Sequence, residues 1–85
     1  MIGTARDMTM TLLSARSQGA TICSSEVARA LAPSDDWRSA MPMVHAAIDC
    51  LLAEDRVEIS WKGQSLENRV GPYRIGRPRK EFHRG

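Results

Sequence analysis

Apolar residues recur at helical steps in three stretches of the chain and at every second residue in two others. Ala5, Met8, Leu12 and Ala15 share one face, and Leu13 widens it. That spacing predicts a first helix from Ala5 to about Gln18. Thr4 and Asp7 have the spacing of a capping box, and Gly19 stands where a left-handed C-cap is wanted. Ala20 to Cys23 reads as one short strand, which needs a later partner. A second helix starts at Ser24 or Ser25, either of which can cap it. Glu26 in its first turn suits the helix dipole. Val27, Ala30 and Leu31 form the predicted buried face, with Arg29 outside, and Pro33 stops the helix.

Pro42 would break a helix begun at Trp37. The better arrangement is a short turn over Asp36–Ala40, after Ser34 and Asp35, then a third helix with Pro42 in its first turn. Met41, Val44, Ile48, Leu51 and Leu52 make its inward stripe. Met43, His45, Ala46, Asp49 and Ala53 face outward or sideways. Arg56 to Trp61 alternates, with Val57, Ile59 and Trp61 on one side, which predicts a half-buried strand. Tyr73 and Ile75 repeat the pattern, and a loop of about eight residues from Lys62-Gly63 to Gly71-Pro72 joins the two strands. The order helix, strand, helix, helix, strand, strand is α+β. It predicts a winged helix-turn-helix: three helices with a small antiparallel β-sheet, its wing hairpin near residues 56–76. The domain is expected over residues 1–76, followed by a basic, mobile tail over 77–85.

The chain of 85 residues is 42% hydrophobic and 26% charged, a balance that fits one soluble globular domain. Nothing approaches a membrane span, and the N-terminus lacks the basic and apolar blocks of a signal peptide. Cys23 and Cys50 have no metal-ligand spacing and read as buried free thiols, which fits a reducing cytoplasm. Charge changes the picture more. Residues 1–68 hold six Lys/Arg and nine Asp/Glu, whereas residues 69–85 hold six and one. A polyanion would meet the C-terminal part first.

The segments S-E-V-A-R-A-L (Ser25–Leu31), D-W-R (Asp36–Arg38), M-P-x-V (Met41–Val44), V-E-I-x-x-K-G (Val57–Gly63) and G-P-Y-R-I (Gly71–Ile75) occur in this order. Over roughly residues 10–79 the chain resembles a bacterial family of small winged-helix proteins that carries only a domain-of-unknown-function label. The resemblance implies a winged-helix fold and little about function. Two positions depart from the family pattern: His45 stands where Arg is usual, and Trp61 where a polar residue is usual.

A DNA-binding reading needs polar and basic residues on the third helix and a wing that reaches the backbone or minor groove. The candidates on the helix side are Arg38, Ser39 and His45. Arg38 can reach a phosphate or a guanine edge, or pair with Asp35 or Asp36. His45 is a base reader or a partly buried surface histidine. Asp49 on the same side would repel phosphate. The wing and tail add Lys62, Arg69, Arg74, Arg77, Arg79 and Lys80. Gly76-Arg77-Pro78-Arg79-Lys80 is similar to the core of an AT-hook, with Ile75 in place of the usual leading arginine. A frayed solubilising tail and non-specific phosphate attraction are the other readings of that segment. Trp37 and Trp61 are expected in the core.

No catalytic constellation, phosphate loop, metal site or cofactor motif stands out, so the chain is not expected to be an enzyme. The expected partner is duplex DNA, through its phosphate backbone. A protein-interaction module is the alternative, and a homodimer through the first helix or Trp61 a third possibility.

Overall fold

The protein is described from a computed structural model covering residues 2–17, 19–32, 35–69 and 71–78, the side chains of Ile2 and Asp35 excepted. The elements run α1 (Ile2–Ser14), β1 (Thr21–Cys23), α2 (Ser24–Leu31), a 3-10 segment (Asp35–Ala40), α3 (Met41–Ala53), β2 (Glu58–Trp61), β3 (Gln64–Leu66) and β4 (Arg74–Gly76). The three helices pack beside one antiparallel sheet of strand order β1-β4-β2-β3. The fold is α+β, as expected.

Helix α1 begins and ends earlier than its pattern predicts. Thr4 lies inside the helix, and Gly19, at φ +92°, turns the loop after it instead of capping it. The buried line is Ala5, Thr9 and Leu13, while Ala15 is exposed. Thr9 fits this apolar line because its hydroxyl donates to the Ala5 carbonyl at 2.8 Å. The N-cap of α2 is Cys23, not Ser24 or Ser25. Strand pairing keeps Cys23 extended against Arg74 up to the helix start. Its N–H then donates to the Glu26 carboxylate three residues on, at 3.0 Å. On α2 the buried residues are Val27 and Ala28, with Ala30 turned to solvent. Pro33 and Ser34 lie outside the described residues.

The Pro42 argument holds. A 3-10 segment occupies the expected turn, and Pro42 sits in the first turn of α3. Val44, Ala47, Ile48 and Leu51 are buried in one core cluster that also takes in the sheet residues Ile22, Ile59 and Ile75. The end of α3 closes through the N–H of Asp55 on Leu52 O and that of Arg56 on Leu51 O, with Asp55 at φ +59°. That is a Schellman motif carrying Asp where Gly is usual.

The segment after β2 differs from the predicted eight-residue loop. Lys62 (φ +53°) and Gly63 (φ +82°) alone form the turn, and Gln64–Leu66 returns as a further strand against β2. Two consecutive positive φ values are those of a type I′ hairpin. Leu66 lies opposite Ile59, which places it on the core side. Trp61 is 39% exposed and not core. Pairing of β2 with β4 stops at Ser60, so Trp61 lies beyond it, paired with Gln64 of β3.

Candidate nucleic-acid interface

Helix α3 carries no Lys or Arg. Pro42, Asp49 and Ala53 are exposed on its outer side, and Met43, His45 and Ala46 are half-buried. His45 is engaged within the protein: its Nδ1 lies 2.8 Å from the Tyr73 hydroxyl. Burial, reinforced by the charge of Arg69 and opposed by Asp49, lowers the His45 pKa below the ordinary 6.5. The ring is therefore neutral at pH 7 and adds no positive charge to α3. Burial also raises the pKa of the Tyr73 phenol, so this pair is uncharged. One turn further along, Asp49 accepts two hydrogen bonds from Arg69, both 2.9 Å. Those bonds hold its carboxyl below the usual range. Arg69, Asn68 and Glu67 border a groove of about 420 Å³ against Asp49, Leu52 and Ala53.

Two further arginines of the C-terminal part are built into the fold. Arg74 lies across the outer sheet face, donating to Thr21 Oγ1 at 2.7 Å, to Thr21 O at 3.1 Å and to Cys23 Sγ at 2.8 Å. Arg77 donates to the carbonyls of Leu13 (2.7 Å) and Arg16 (2.9 Å). Both carbonyls lie at the end of α1, where the Leu13 oxygen also accepts from the Arg16 N–H at 3.1 Å. Lys62 differs: it is exposed at the hairpin tip and has no carboxylate partner among the described residues. Arg79 and Lys80 lie outside the described residues.

Arg38 is neither buried nor ion-paired among the described residues; it stacks on Trp37, 4.5 Å from the ring centroid. Arg29 stacks on the same ring at 4.6 Å. Trp37 is half-buried against the core, consistent with its expected place between the second and third helices. Ser39 Oγ donates to Asp36 Oδ1 at 3.3 Å. The structure thus brings Arg38 and Ser39 to the start of α3, places Lys62 on a separate projection, and ties Arg69, Arg74 and Arg77 to internal acceptors. Sequence reasoning missed Arg29, because only the folded chain brings it to Trp37. Both cysteines are half-buried free thiols. No group of three metal-ligating side chains occurs among the described residues, nor is any described helix long and apolar enough to cross a membrane.

Residues 4–78 match the family described as "Protein of unknown function (DUF3253)". The chain belongs to that family. The match takes in every element from α1 to β4 except the first two residues of α1, and includes both ends of the contacts made by Arg74 and Arg77. The family's description assigns no activity, and no curated protein matches the chain.

Proposed function

We propose that this member of the family is a cytoplasmic winged-helix module that binds duplex DNA. The order of its elements, with β1 between the first two helices and a hairpin after the third, is that of a winged helix-turn-helix. The observation that carries the reading is the hairpin tip, where a two-residue turn holds Lys62 exposed, and without a carboxylate partner among the described residues, beside the exposed Trp61. In this reading Lys62 contacts the phosphate backbone from the wing, Arg38 and Ser39 contact it ahead of α3, and Arg79 and Lys80 add charge from the tail. Arg69, Arg74 and Arg77 serve mainly to hold the fold. His45, being neutral, offers hydrogen bonds and no charge.

A second reading, a protein-interaction module, has its own support in the cation-free α3 and the exposed Asp49 on its outer side. Titration of the intact chain with a mixed-sequence duplex at several salt concentrations separates the two. Four or five phosphate contacts give a slope near about −4 in log K against log salt. Absence of binding at the lowest salt would remove the DNA reading and leave the interaction module.

A further inference from the structure

Arg29 and Arg38 come from different elements, α2 and the 3-10 segment, yet both guanidinium groups lie on the Trp37 ring, 4.6 and 4.5 Å from its centroid. Both arginines are exposed, while Trp37 is half-buried and fixed against the core. Neither arginine pairs with a carboxylate among the described residues. Asp36, adjacent to Trp37, accepts from Ser39 instead. A guanidinium stacked on an indole is attracted through its flat face, which leaves the N–H edge available to an oxyanion. A free arginine loses side-chain entropy when it is immobilised in a contact. Here the indole restrains both side chains in advance.

We propose that Arg29 and Arg38, held by Trp37, form a two-arginine clamp for the phosphodiester backbone of duplex DNA. This rests on the DNA-binding reading above and extends it with Arg29 and Trp37, which the wing and tail contacts do not involve. The 3-10 segment runs directly into α3, so the clamp grips the backbone beside the start of that helix. A phosphodiester oxygen accepts from the guanidinium edges, and the aromatic ring makes no contact with the bases.

The test measures affinity and salt slope on one mixed-sequence duplex for the wild-type chain, Arg29→Gln, Arg38→Gln, the double variant, Trp37→Leu and Trp37→Tyr. Thermal melts accompany each to establish that it is folded. Each glutamine variant is expected to bind several-fold more weakly, with the slope reduced by about 1. Trp37→Leu keeps every charge yet is expected to weaken binding, and Trp37→Tyr, which restores an aromatic face, to recover most of it. Should Trp37→Leu not fold, the Tyr and Gln variants still decide. Wild-type binding with an unchanged slope in the double variant overturns the clamp and leaves the DNA reading standing. So does a fall in melting temperature alone, which would make the stack a fixture of the α2–α3 turn. Unaltered affinity in a folded Trp37→Leu overturns the role of the ring. Absence of wild-type binding at the lowest salt overturns the clamp together with the DNA reading.

Discussion

Asp49 and Arg69 meet through two hydrogen bonds of 2.9 Å, Nε to Oδ1 and Nη2 to Oδ2. The pair fastens the segment after β3 to the outer side of α3, and both side chains remain substantially exposed. Exposed pairs contribute little, so a double-mutant cycle on Asp49→Asn and Arg69→Gln is expected to give a coupling below about 1 kcal/mol. The effect on binding is expected to be larger than the effect on stability. Asp49→Asn removes a negative charge from α3 and releases Arg69, so duplex affinity should rise several-fold. An unchanged or lower affinity in a folded Asp49→Asn would argue that this side of α3 does not face DNA.

His45 makes stability depend on pH in a defined window. Its folded pKa lies below the ordinary 6.5, so between the two values the unfolded chain binds more protons than the folded one. Its stabilising contribution is present in full above pH 6.5 and is lost as pH falls through the folded value. Glu26 and Asp49 are also shifted down, from 4.5 and 3.8, so their losses come at lower pH. Denaturant unfolding as pH falls from 6.5 towards 4.5 should therefore show a decline that His45→Gln diminishes, Glu26 supplying the rest at the acid end.

Much of the fold was legible because its signals are local. Pro42 located the start of α3, and the Val44, Ile48, Leu51 stripe identified its buried side. The alternation of Val57 with Ile59 marked a strand, although the same alternation assigned Trp61 wrongly. Period-2 parity says which side a residue faces, not how far the partner layer extends along the strand. Thr9 was missed because a polar residue in an apolar stripe is satisfied by a backbone carbonyl one turn away, which composition does not reveal. The candidate interface was less legible. A run of cations looks alike whether it meets solvent or internal acceptors. Only the fold brings Arg74 to Thr21 and Cys23, Arg77 to the end of α1, and Arg29 to Trp37.

Arg77 separates a structural cation from a binding one. Its two hydrogen bonds to Leu13 O and Arg16 O are lost in Arg77→Ala. Hydrogen bonds donated by a charged group to backbone acceptors suggest a cost of about 1–3 kcal/mol, read by denaturant unfolding. The duplex affinity of the folded variant should change less than that of Lys62→Gln. The opposite ranking would return Arg77 to the DNA-contacting set.

Among the described residues, Asp55 and Lys62 hold left-handed backbone without being glycine, and each predicts a stabilising change. Asp55→Gly should raise stability by about 0.5 kcal/mol, a modest gain because Asp tolerates this region better than most residues. Lys62→Asn places a preferred residue in the type I′ turn and should stabilise by a few tenths of a kcal/mol. Because it also removes the wing-tip charge, it should weaken duplex binding while raising the melting temperature. Loss of both together would mean that the tip acts on binding through folding.

The most direct measurement is the salt dependence of duplex affinity for the wild-type chain beside Lys62→Gln. The expected result is a wild-type slope near about −4, a slope smaller in magnitude by about 1 in the variant, and an unchanged melting temperature. Wild-type protein that fails to bind at the lowest salt, or binds with the same slope when Lys62 is neutralised, would contradict the wing as the DNA contact.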